Sequence, residues 1–199
     1  GGGKTHTLIS IYHIVKSGAH LFESESCKHI LQDGVKPNFK DAKVAVFTNN
    51  TTDVSQGRQT PEGFTIYTLW GELAYQLGGV EAYEKIKQND IERTAPASGI
   101  LKPIFQSAGT SLILIDELAD YCVKATSKKV GDGNLFSQTN SFMQTLTEVV
   151  SSVPKCVLIA TLPASATEVA DSQIGQIVLD ALQTRIVRVG SSVKPVEDE

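Results

Sequence analysis

The sequence predicts an α/β fold: a parallel β-sheet with helices on both faces. Three observations carry that prediction. Short apolar runs alternate with stretches of three- and four-residue apolar spacing along most of the 199 residues, the pattern of strands joined by helical crossovers. Ser111 to Ile115 is continuously apolar, as a central parallel strand covered on both faces requires. Polar residues suited to a ligand fall just after the predicted strands and at the start of the first helix, where open parallel sheets bind ligands.

The elements follow in order. Leu8, Ile11, Tyr12 and Val15 predict a helix that starts at Lys4 or Thr5 and stops at Gly18. Residues 20–41 are mixed, with a short helix expected around 27–31 and closed by Pro37. Lys43 to Thr48 is rich in β-formers and bounded by Asn49 and Asn50, so it reads as a strand. Residues 51–63 are polar, with Gly57, Pro61 and Gly63, and read as a loop. Thr65 to Tyr67 is a short extended piece. Thr68 is placed to cap a helix through Leu69, Leu73, Ala74 and Leu77, ended by Gly78 and Gly79. Trp70 on that helix is expected in the core. Further helices are expected over 80–87 and 98–106, the latter kinked or broken at Pro103.

Beyond the central strand, residues 124–134 are polar and glycine-containing and predict a mobile loop. Phe142, Leu146, Val149 and Val150 mark a long amphipathic helix over 136–153. Cys156 to Thr161 predicts another buried strand. Helices are expected near Ala166 and over 173–182, and a last strand over 185–189. Residues 196–199 form an acidic tail or open a following domain. No internal repeat or low-complexity segment is present.

Composition narrows the function classes. Hydrophobic residues make up 41% and charged residues 20%, ordinary for a soluble globular domain, and the net charge is −4. That balance argues against whole-domain attraction to nucleic acid or to an anionic membrane, although other parts of a longer parent protein could contact DNA. Cys27, Cys122 and Cys156 are odd in number and widely spaced, so neither a disulfide framework nor a zinc site is indicated. No run is long enough for a membrane span, and a reducing cytoplasm is the expected location.

The candidate chemistry lies at Gly1-Gly2-Gly3-Lys4-Thr5 and at Asp116-Glu117. The first resembles the end of a phosphate-binding loop, G-x-x-x-x-G-K-[ST]. Glycines let backbone N–H groups turn toward phosphates, the lysine reaches the β and γ phosphates, and the hydroxyl meets the metal. Because the full pattern would begin two residues before Gly1, the chain is expected to start inside the loop, as a partial domain over 1–199. Its first strand would lie upstream, and the domain would continue beyond residue 199. A glycine-led helix start with an exposed lysine is the alternative. Asp116 and Glu117 follow four aliphatic residues at a strand end. There Asp116 can hold magnesium and Glu117 can orient and deprotonate an attacking water; alternatively, both simply favour the start of the next helix. Thr161, with Ser165 as a second candidate, is placed to reach the γ-phosphate or the water, or else to satisfy local backbone. Arg185 and Arg188 are candidates for an arginine supplied in trans by a neighbouring subunit, against the plainer reading as surface arginines. Arg58 is weaker still. His6 falls in the first helical turn. The absence of an Asn-Lys-x-Asp element weakens a GTPase reading. The long gap from Lys4 to Asp116 predicts an insertion at about residues 50–109.

Gly1 to Leu8, the block Thr68-Leu69-Trp70-Gly71-Glu72-Leu73-Ala74-Tyr75-Gln76-Leu77-Gly78-Gly79, Leu114 to Leu118, and Ala160 to Ser165 occur in that order. In this the chain resembles a family of large prokaryotic AAA-type ATP-binding proteins catalogued as domain of unknown function 499. Members of that family often sit beside DNA methyltransferases and helicases in phage-exclusion systems. The resemblance covers nearly the whole chain, and the tryptophan block is its most specific part. It implies a P-loop NTPase core with ATP at Gly1, Gly2, Gly3, Lys4, Thr5 and His6. It further implies magnesium at Thr5 and Asp116, Glu117 as water activator and Thr161 as sensor. The expected activity is ATP hydrolysis coupled to conformational change, with protein partners or a homo-oligomer. A nucleotide-held scaffold or switch, and a DNA translocase, are the alternatives.

Overall fold

The computed structural model describes residues 3–18, 20, 39, 41–163 and 173–187. The expectations for Gly1, Gly2, the helix at 27–31, Ser165, the helix near Ala166, Arg188 and the acidic tail lie outside the described residues.

The chain is α/β, with a three-stranded parallel sheet. Strand β1 (Lys43–Phe47) and strand β7 (Cys156–Ala160) flank the central strand β4 (Ser111–Ile115). Val46 pairs with Leu114, and Leu114 with Ile159, so the strands run in step and end together. Every residue of β4 is buried, which is why that segment carries no polar alternation.

The period-two geometry of the strands separates two apolar layers. Val44, Leu112 and Leu114 face helix α1 (Lys4–Ser17) and pack with its Leu8, Ile11, Tyr12 and Val15. Ala45, Phe47, Ile113 and Ile115 face the larger core. That core is built by helices α2 (Leu69–Glu84), α4 (Ser98–Ala108), α5 (Leu118–Thr126), α6 (Leu135–Ser152) and α7 (Gln173–Val187). Trp70 is fully buried there, with its ring 5.4 Å from that of Phe142. The helices on both faces match the expected layering. No described helix is long and apolar enough to cross a membrane.

Helix α2 shows how local sequence fixes the outer part of the sheet. The Thr68 hydroxyl caps its start by accepting from the Gly71 N–H at 3.1 Å. The helix breaks where Gly78 and Gly79 leave helical geometry, Gly79 at φ 64°, and then resumes to Glu84. On its sheet-facing side, Gln76 brackets Val46 with both ends of its amide. Its oxygen accepts from Val46 N–H at 2.7 Å, and its nitrogen donates to Val46 C=O at 2.9 Å. A side chain thus satisfies backbone groups on the outer edge of β1, an edge that would otherwise invite pairing with another strand. Short helix α3 (Lys87–Glu92) then presents Asp90 to the start of α2, where it accepts from Tyr67 N–H, the Thr68 hydroxyl and the Tyr83 hydroxyl.

Several expectations are corrected. The polar segment 51–63 contains β2 (Arg58–Gln59), which pairs antiparallel with β3 (Thr65–Ile66). Residues 124–134 are not a loose loop. Helix α5 runs to Thr126, and β5 (Lys129–Val130) and β6 (Gly133–Asn134) form a small ribbon turned by Gly131 at φ 55°. Asn134 then starts α6 with a capping box shared with Ser137. Pro103 does not break α4: it lies on the solvent face, where the carbonyl it leaves unpaired can meet water. The helix expected over 80–87 is present as the part of α2 beyond the Gly78–Gly79 break, but it ends at Glu84, and α3 begins separately at Lys87. The strand expected over 185–189 is helical as far as Val187, because Val178, Leu179 and Leu182 at helical spacing are buried against the core.

Candidate functional site

The sheet's carboxyl edge gathers residues that are far apart in sequence. Asp116 directly follows β4, and its N–H donates to Phe47 C=O at 2.8 Å. Thr161 directly follows β7, and its N–H donates to Ile115 C=O at 2.9 Å. Both bonds extend the parallel ladders by one step, so the positions of these side chains are set by the sheet.

Asp116 is the hub. One carboxylate oxygen, Oδ2, accepts from the Thr5 hydroxyl at 2.7 Å, across 111 residues of chain. The other, Oδ1, accepts from the Thr161 hydroxyl and from Glu117 N–H, the latter at 3.1 Å. The Thr161 oxygen also receives Glu117 N–H, at 3.3 Å. Asp116 is only 8% exposed, so these donors replace the water a carboxylate would otherwise hold.

Glu117 stands in the left-handed region, at φ 54°. A non-glycine residue there costs roughly 1–3 kcal/mol and persists only where its surroundings hold it. Its N–H is tied to Asp116 and Thr161 while its side chain is exposed. The strained backbone therefore holds one acid in the network and projects the next one outward.

Helix α1 brings the first part of the sequence pattern to the same place. Its N-cap, Gly3, has φ 70° and offers no capping side chain. The first-turn N–H groups of a helix have no intrahelical partners, and together with the helix dipole they favour an anion. Thr5 and His6 are exposed on that turn, and Lys4 is half-buried. The structure thus joins Thr5, Asp116, Glu117 and Thr161 directly and sets Gly3, Lys4 and His6 on the adjoining helix start. It does not bring Arg185 into this group: Arg185 lies on α7 and donates to Gln144 of α6.

The donor set suits a hard, oxygen-seeking divalent ion only in part. Thr5 and Asp116 supply a hydroxyl and a carboxylate, and among the described residues no three His, Cys, Asp or Glu side chains gather for a metal. Magnesium is commonly bound in this way, by one or two protein oxygens with phosphate and water completing its shell. These residues fit magnesium arriving with a phosphate ligand.

Sequence reasoning overlooked two features. Asn49, read only as a strand boundary, lies just past β1, and its amide oxygen is buried with no hydrogen-bond partner. Arg58, the weaker candidate for an arginine supplied in trans, instead forms a two-pronged ion pair with the fully buried Glu72, Nη2 meeting Oε2 at 2.8 Å. The Thr52 hydroxyl joins the same carboxylate at 2.9 Å. The hydrogen bond to Glu72 raises the Arg58 pKa, against the opposing effect of its own partial burial. A charged residue inside an otherwise apolar helical face is the signal that could have flagged Glu72.

These features define an α/β domain with a polar centre at the carboxyl edge of a parallel sheet. The family model described as DUF499 N-terminal domain matches residues 1–193, and the chain belongs to that family. No curated protein and no solved structure matches it.

Proposed function

We propose that this domain binds ATP with magnesium and hydrolyses it, as a P-loop module of the AAA type within a larger prokaryotic protein. The observation that carries the reading is the Thr5–Asp116 hydrogen bond, which fastens a glycine-led helix start to an acid-tipped strand end. A triphosphate needs both: N–H groups and a lysine for its oxygens, and a hydroxyl with a carboxylate for its metal.

The roles follow from position. The Gly1–Gly3 segment and the α1 N-terminus receive the phosphates, and Lys4 reaches the terminal pair. Thr5 donates its proton to Asp116, which leaves the lone pairs of its oxygen for magnesium. Magnesium, when bound, supplies positive charge against the phosphate oxygens. Glu117, projected outward, takes a proton from water, and Thr161, fixed against Asp116, senses the terminal phosphate. His6 borders the same turn. The family resemblance suggests a setting in phage exclusion, with the cycle driving a conformational change in a protein assembly or on DNA held by other regions.

A second reading, a nucleotide-held switch with slow turnover, has one specific observation in its favour. Among the described residues no arginine joins Asp116 and Glu117, and Arg185 is engaged with Gln144. An activating cation would then come from a partner. Magnesium-dependent phosphate release by the full-length protein, native against Glu117→Gln, with and without duplex DNA, tests both. Hydrolysis that the substitution abolishes supports the enzyme. ATP binding with slow turnover that neither DNA nor a partner raises supports the switch, and stimulation by DNA revives the translocase.

A further inference from the structure

We propose that Glu72 and Gln76, one turn apart in the tryptophan block, hold the end of β1 in place and so position Asp116 for magnesium, an inference that rests on the ATP-hydrolysis reading. The block spans the start of α2, and folding explains most of it. Thr68 caps the helix, and Leu69, Trp70, Leu73 and Leu77 fill the core. Glu72 and Gln76 are not explained in that way. Glu72 is fully buried, and a buried ion pair gives a fold little that well-packed apolar residues would not.

Both side chains are directed to β1 and the residues that follow it. Among the described residues β1 ends the sheet, so the ladder holds it through β4 alone. Gln76 acts as its second neighbour, accepting from Val46 N–H at 2.7 Å and donating to Val46 C=O at 2.9 Å. One turn earlier, Glu72 accepts from the Thr52 hydroxyl at 2.9 Å and takes both prongs of Arg58 from β2. Gln76 Nε2 also lies 3.5 Å from Glu72 Oε2, which links the two anchors. Thr52 is buried and directly follows a closed turn, in which Thr51 N–H donates to Thr48 C=O at 2.9 Å and Thr48 N–H to the Thr51 hydroxyl at 2.8 Å. The strand end is therefore fixed on both sides of Phe47: at Val46 by Gln76, and beyond Thr48 by Glu72 through Thr52.

Phe47 is where this support reaches the site. Its C=O accepts the Asp116 N–H at 2.8 Å, the first bond past the β1–β4 ladder. A shift of Phe47 moves the Asp116 backbone, and with it the carboxylate that accepts from the Thr5 hydroxyl. Contacts that orient a metal ligand from outside commonly matter about 10- to 100-fold in metal affinity or activity. Glu72 and Gln76 act one step further out, so the lower end of that range is expected. They are positioning residues, acting on the metal site only through β1.

The test uses the full-length protein, native and as Arg58→Met with Glu72→Leu, Gln76→Leu, Tyr75→Phe and Glu117→Gln. The readouts are ATP turnover, the magnesium concentration for half-maximal turnover at saturating ATP, binding of a fluorescent ATP analogue without magnesium, and thermal unfolding. The double substitution removes the Thr52 anchor yet leaves no lone buried charge, so it is expected to melt within about 3 °C of native. It and Gln76→Leu are each expected to lower kcat about 10-fold and to raise the magnesium requirement about 3- to 10-fold, with metal-free analogue affinity within about twofold of native. Tyr75→Phe, on the same helix but bonded outward to Glu62, is expected to match native in every readout. Turnover and magnesium requirement within about twofold of native in both the double variant and Gln76→Leu, with Glu117→Gln inactive, overturn the proposal and leave the ATPase reading standing. Loss of rate that tracks loss of folding in both, at an unchanged magnesium requirement, also overturns it. Absence of any ATP turnover in the native protein overturns both.

Discussion

Arg58→Ala is the perturbation whose size the structure sets most closely. The Glu72 carboxylate is fully buried, and Arg58 is 31% exposed. Arg58 gives it two charge-assisted bonds, and Thr52 gives one more. Removing the arginine leaves a buried charge with one hydroxyl and a distant Gln76 amide at 3.5 Å. Losing one partner of a buried pair costs about 3–5 kcal/mol. Water entering where a partly exposed arginine stood recovers some of this, so about 2–3 kcal/mol is expected. For a domain of this size that is a fall in Tm of roughly 5–10 °C, read by thermal unfolding at neutral pH. Replacing both partners, as in Arg58→Met with Glu72→Leu, is expected to restore most of the loss, because no lone charge is then buried. A single Arg58→Ala variant that melts within about 1 °C of native would refute the reasoning, as would a double variant less stable than the single one.

Two further outcomes follow from the start of α2. A Cβ on Gly71 would lie 2.2 Å from Asp90 Oδ1 and 2.8 Å from Ile66 Cγ2, so Gly71→Ala is expected to destabilise by about 1–3 kcal/mol through overpacking, checked by urea unfolding. Burial pushes the Asp90 pKa above its ordinary value of 3.8, opposed by the hydrogen bonds from Thr68, Tyr67 and Tyr83. Between the ordinary and the raised value the folded state keeps a proton that the unfolded state releases, so the Asp90 contribution to stability falls as pH rises through that window. The stability of the native protein relative to Asp90→Asn is therefore expected to increase as pH is lowered through the window in a urea-melt series. A difference that shrinks or stays flat contradicts the assignment.

The sheet was readable from sequence because its strands are apolar on both faces, and Ser111–Ile115 and Cys156–Ala160 need no partner to be recognised, although the second is only half-buried, with Val157 exposed, where a buried strand was expected. The capped start of α2 and its break at Gly78–Gly79 were legible for local reasons: a hydroxyl at the N-cap, and glycine where the backbone leaves the helix. The convergence of Thr5, Asp116, Glu117 and Thr161 was expected, since parallel strands end on one edge. The paired segments Arg58–Gln59 and Lys129–Val130 were missed because two residues are too few to show a period. Ile186 and Val187 are β-branched and point to a strand, but the apolar spacing from Val178 onward decides for helix. The Arg58–Glu72 pair and the bracket that Gln76 places on Val46 are contacts between elements, and no local pattern announces them.

The central claim is a working ATP site built on Thr5, Asp116 and Glu117. Its most direct test is magnesium-dependent ATP hydrolysis by the full-length protein, native against Glu117→Gln, with analogue binding measured on the same samples. The account predicts turnover that requires magnesium and falls at least about 100-fold in the variant, with binding retained. Turnover unchanged by Glu117→Gln, or a native protein that neither binds nor hydrolyses ATP, would contradict it.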